Sequence, residues 1–93
     1  MSKEPIPELT EEQAIFWRGR AKHCSSVTRL MRDIAAEYGL KRNDVGFMLA
    51  DIFELTNGDE TQVVWMWDFD RNGRGLADEV IDQRLAHLLK QAL

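Results

Sequence analysis

The chain has 93 residues, 44% of them hydrophobic and 30% charged, with a net charge of −4. A chain of this length holds one modest core and no second domain. Its composition excludes a disordered polyelectrolyte, and no apolar run approaches the roughly 20 residues that cross a bilayer. The single cysteine, Cys24, excludes an internal disulfide framework and points to a reducing, cytoplasmic setting. The N-terminus has no apolar core of a secretory signal. The charge is uneven: residues 1–17 balance at −3, residues 18–42 at +5 and residues 43–93 at −6.

Residues 1–9 read as an extended arm, because Pro5 and Pro7 each turn the preceding residue away from helix. A single helical domain is expected over 10–93. Thr10-Glu11-Glu12-Gln13 has the spacing of a capping box. Beyond it Ala14, Trp17, Ala21, Cys24, Thr28, Met31, Ala35 and Tyr38 recur at spacings of 3 and 4. Val27, Leu30 and Ile34 widen that stripe in its second half. The unbroken stripe favours one long helix from about 11 to 38. Ser25-Ser26 leaves open a break into two, with Ser26 as a new cap. Gly39 is suited to end the segment.

Asn43 or Asp44 can cap the next helix, which carries Val45, Met48, Leu49, Ile52 and Phe53 on one face. Asn57-Gly58 can end it, or can instead be the turn of a β-hairpin over about 52–67. Helix is preferred, because Asp59 with Gln62 offers another capping pattern ahead of Val63–Trp67. Val80, Ile81, Leu85, Leu88, Leu89 and Ala92 then define a last helix. The expected fold is all-α, a compact bundle of four or five helices, with an α+β fold carrying that hairpin as the alternative.

Residues 68–79 read Asp68-Phe69-Asp70-Arg71-Asn72-Gly73-Arg74-Gly75-Leu76-Ala77-Asp78-Glu79. This segment resembles the EF-hand calcium loop. The resemblance implies oxygen ligands from Asp68, Asp70 and Asn72, a turn at Gly73, the backbone carbonyl of Arg74 and a closing Glu79, around a calcium ion. It covers 12 residues of 93. Gly75 departs from it, standing where EF-hands carry a branched apolar residue, and no second loop is present to pair with this one. A shifted register through Asp70, Asn72, Gly75 and Asp78 is interrupted by Arg74. The plain structural reading is an Asp/Asn/Gly turn leading into the last helix, with Asp78 and Glu79 as first-turn acids.

Cys24 lies on the apolar stripe, which makes it a packing residue rather than a nucleophile. His87 falls near the end of the last helix, where a cation is welcome. The pattern over 26–55 also fits a helix-turn-helix, but its second helix carries Asp44, Asp51 and Glu54 and no base, so it would repel phosphate. There is no glycine-rich phosphate loop, nucleophile elbow or spaced set of metal ligands for catalysis. The sequence therefore points to a non-enzymatic interaction or regulatory module that binds a protein partner, with self-association into a homodimer as one form. Its candidate surfaces are the basic residues Arg18, Arg20, Lys22, Arg29 and Arg32, and the aromatics Trp65, Trp67 and Phe69. A calcium-binding module and a nucleic-acid-associated protein using the basic 18–42 segment are the alternatives.

Overall fold

In the computed structural model, which describes residues 9–56 and 58–91, the chain is an all-α bundle of five helices. They are α1 (Glu11–Ala21), α2 (Val27–Tyr38), α3 (Arg42–Phe53), α4 (Asp59–Trp65) and α5 (Asp78–Gln91). The expected arm lies almost wholly in residues 1–8, outside the described residues. No strand occurs among the described residues, and the hairpin alternative gives way to α4. The only β feature there is an isolated parallel bridge between Trp67 and Leu76. No helix is long and apolar enough to cross a membrane among the described residues.

The capping box forms as the spacing predicts: Gln13 N–H donates to the Thr10 hydroxyl at 3.1 Å, and the Gln13 side chain accepts from Thr10 N–H at 2.9 Å. The long helix does not. The chain leaves α1 at Ala21 and restarts at Val27, with Ser26 as N-cap accepting from Arg29 N–H at 3.1 Å. Asp82 of α5 secures the restart. Its carboxylate accepts from Thr28 N–H at 2.8 Å, and from the Ser26 and Thr28 hydroxyls at 3.0–3.1 Å. Four donors at one helix start outweigh the single continuous helix that the stripe favours. The stripe stays buried on both sides of the break but in different places: Trp17 and Ala21 pack with Leu30 and Ile34, whereas Met31 and Ala35 pack with Val45 and Leu49.

Gly39 ends α2 in the left-handed conformation, at φ 64°. Neither Asn43 nor Asp44 caps α3; that helix starts two or three residues earlier, with Lys41 as N-cap and no side-chain cap bond. Its end also falls earlier than Asn57-Gly58, at Phe53, with Glu54 left-handed behind it. Asp59 is the first residue of α4 rather than its cap, a place held by Gly58.

The α2–α3 pair forms a central layer with two buried faces. Val27 and Met31 of α2, with Val45 and Leu49 of α3, pack against Val64, Trp67, Ile81, Leu85 and Leu88. Leu30 and Ile34, with Met48 and Ile52, pack against Trp17 and Ala21 of α1. So α1 covers one side, and α4 with α5 covers the other. Each large core side chain removed from water contributes roughly 1.5–3 kcal/mol, and most of the fold's stability lies in these two faces.

Candidate docking surface and the Asp-rich loop

The aromatic segment splits at the end of α4. Trp67 is fully buried, whereas Trp65 and Met66 are 39% and 46% exposed. The sequence treats Trp65, Trp67 and Phe69 as one surface. The structure puts Trp67 in the core and packs the half-buried Phe69 edge-on against it, with ring centroids 5.1 Å apart.

Trp65 lies instead across α3. Its indole N–H reaches the Asn43 carbonyl at 3.4 Å, and its ring meets Phe47 edge to face at 5.6 Å. Gly46 makes this approach possible. A Cβ there would stand 3.1 Å from Trp65 Nε1 and 3.2 Å from Thr61 Cγ2. Phe47 is itself 47% exposed. Phe47, Trp65 and Met66 thus put three large apolar side chains at the surface from two adjoining elements. A second exposed pair, Ile15 and Phe16, lies on α1 at 55% each. Phe47 was not among the residues singled out from the sequence. Its signal is there nonetheless: a large apolar side chain beside, not on, the stripe of Val45, Met48, Leu49 and Ile52.

The basic residues expected to form a partner surface are dispersed. Arg18 turns inward and donates to the Ile52 carbonyl at 2.6 Å. Arg20 and Arg29 both face Asp33, at 3.0 and 3.8 Å, and Arg20 also lies over the Trp17 ring at 5.8 Å. Lys22 is exposed at the end of α1. Arg32 is built into the fold. Its guanidinium lies over the Trp67 ring at 4.7 Å and the Phe69 ring at 5.2 Å, donates to the Phe69 carbonyl at 2.9 Å and pairs with Asp78 at 3.1 Å.

The Asp-rich loop is closed by its own donors. Both Asp68 oxygens accept backbone N–H groups, from Asn72 at 3.0 Å and Gly73 at 2.9 Å, and the Asn72 side chain accepts from Arg74 N–H at 3.0 Å. Asp68 N–H donates to the Leu76 carbonyl at 2.8 Å, and Leu76 N–H donates to the Met66 carbonyl at 2.7 Å, fastening the two ends together. Gly75 explains its own presence here. It sits at φ 130°, and a Cβ on it would come within 2.7 Å of the Met66 carbonyl oxygen. A branched residue cannot stand there.

The five positions named for calcium border different parts of the loop surface. Asp68 and Glu79 border one open hollow together with Arg71 and Asp78, while Asp70 borders another with Leu40, Lys41 and Arg42. Asn72 and Arg74 are exposed on the turn. Among the described residues no three His, Cys, Asp or Glu side chains gather as a metal-holding group. Asp78, absent from the EF-hand ligand set, is the loop's most connected carboxylate. It accepts from Trp67 Nε1 at 2.8 Å and is paired with Arg32 and Arg71 at 3.1 and 3.3 Å. Burial alone would raise its pKa. The hydrogen bonds from Trp67, Arg32 and Arg71, with the charge of Arg32, outweigh that and hold it below its ordinary 3.8.

No protein-family model, curated protein or solved structure matches the chain.

Proposed function

We propose that this protein is a non-enzymatic interaction module that engages a protein partner through the α3–α4 face, with Phe47, Trp65 and Met66 as its apolar anchors. The observation that carries this reading is the exposed edge-to-face pair of Phe47 and Trp65, with Met66 beside Trp65 in the chain. Aromatic and Met side chains are enriched at interface centres, and a cluster of three large apolar groups on so small a domain is a marker of a binding surface. Trp65 already rests against Gly46 with its indole N–H at the Asn43 carbonyl, which lowers the side-chain freedom it would lose on association. The lone Cys24 fits an intracellular, reducing setting.

The test compares two surface variants in co-isolation from the native host. Phe47→Ser with Met66→Ser should abolish recovery of the partner. Lys22→Ser with Arg29→Ser, at exposed basic positions at the end of α1 and on α2, should leave it intact. Equal recovery by both variants, or loss confined to the second, would contradict the assignment.

A further inference from the structure

We infer that the α3–α4 face receives a Lys- or Arg-rich amphipathic helix, its apolar side on Phe47, Trp65 and Met66 and its cations against the neighbouring carboxylates. This rests on the reading of that face as a docking surface and adds the chemistry of the occupant.

Charge placement carries the inference. Residues 43–70 form a run of 28 without a single Lys, Arg or His, and they include seven Asp or Glu. On α3, Asp44 lies three residues before Phe47 and Asp51 four after it, so both share the Phe47 side of the helix. Glu54 follows as the left-handed residue behind α3 and borders a hollow with Asp51 and Arg18. Asp51 and Glu54 are exposed. None of the three takes part in an ion pair among the described residues. Asp33 and Asp78 behave differently, each held by two arginines. The fold thus pairs Asp33 and Asp78 with its own arginines and leaves the carboxylates of Asp44 and Asp51, beside Phe47, without an ion pair among the described residues.

An acidic partner would be repelled from these carboxylates, and a cationic one steered to them. Each exposed ion pair would add only a few tenths of a kcal/mol to about 1, so the apolar anchors supply the affinity and the carboxylates supply selection. A guanidinium laid on Trp65 or Phe47 gains further from the ring face, a contact this fold already makes at Arg32 over Trp67 and Arg20 over Trp17. A helix fits better than an extended strand, because no sheet edge exists among the described residues for a strand to extend.

The test uses two fluorescein-labelled peptides of about 18 residues with leucines at helical spacing, one with Lys and one with Glu at the polar positions. Fluorescence anisotropy against the full chain should show the Leu/Lys peptide binding about tenfold or more tightly than the Leu/Glu peptide at moderate salt. Neutralising Asp44→Asn, Asp51→Asn and Glu54→Gln together should remove that preference. Phe47→Ala with Met66→Ala should weaken binding of the Leu/Lys peptide by a similar factor. Circular dichroism confirms that each variant stays folded. Equal binding of the two peptides, binding of neither, or indifference to the neutralised carboxylates would overturn the inference. A preference for the Leu/Glu peptide that disappears with Phe47→Ala and Met66→Ala would overturn the cationic occupant while leaving the docking face in place. Leu/Lys binding that ignores the apolar variant would overturn both.

Discussion

Trp67 donates its indole N–H to the Asp78 carboxylate at 2.8 Å, across the eleven residues from just beyond α4 to the start of α5. With Arg32 stacked on the same indole and paired to the same carboxylate, this contact ties the loop to α2. The pKa of Asp78 lies below 3.8, so the folded state binds its proton less readily than the unfolded chain does. Its stabilising contribution is therefore present above 3.8 and is lost as pH falls through the folded-state value. Urea unfolding between neutral pH and pH about 2 should show this acid loss, and Asp78→Asn should flatten it. At neutral pH the same substitution should cost about 2 kcal/mol, the value of a hydrogen bond to a charged group. An unchanged acid limb in Asp78→Asn would contradict the assignment.

Gly75 is the position in the loop least able to accept a side chain. Gly75→Ala combines an unfavourable φ of 130° with a Cβ placed 2.7 Å from backbone oxygen. The expected loss is about 2–3 kcal/mol, measured by thermal or urea unfolding, with altered NMR shifts at Met66, Asp68 and Leu76. Gly19→Ala inside α1, where nothing lies within 4 Å, is the matched control and should be neutral or mildly stabilising.

Asp82 should behave as a structural cap rather than a surface acid. Asp82→Ala removes the acceptor of Thr28 N–H and of two hydroxyls at the start of α2. Loss of a cap with charge-assisted bonds costs about 1–2 kcal/mol. Hydrogen exchange should quicken in the first turn of α2 before it does elsewhere. Uniform exchange across the bundle would argue against a local role.

Calcium distinguishes the two uses of residues 68–79. In one use, the loop is closed by Asp68 on its own N–H groups and by arginines on Asp78, with no ion taking part. Trp emission should then be unchanged up to millimolar calcium, because Trp67 already rests in its final contacts. A saturable change, lost in Asp68→Ala, would instead favour the EF-hand-like use.

The helices themselves were legible from local signals, but the caps read at Asn43 or Asp44 and at Asp59 were not the ones used. The Thr10–Gln13 box, the Gly39 stop and the apolar faces of α2, α3 and α5 all stand as the spacing implies. The break at 22–26 was hidden, because the stripe keeps its spacing through it and the decisive acceptor, Asp82, lies 54 residues beyond Thr28. Gly75 looked like a defect in a metal loop, since the Met66 carbonyl it accommodates is invisible in one dimension. The candidate surface was half legible. Trp65 and Trp67 are two positions apart at a helix end, so one must face away from the core, but only the packing of Trp67 under Arg32 decides which.

The most direct test of the α3–α4 docking face is site-specific photocrosslinking in the native host, with a benzophenone amino acid at Phe47 compared with the same group at Lys22 and at Glu37. The expected result is one discrete adduct from position 47, suppressed by Met66→Ser and absent from positions 22 and 37. Adducts from 22 or 37 with none from 47 would contradict it.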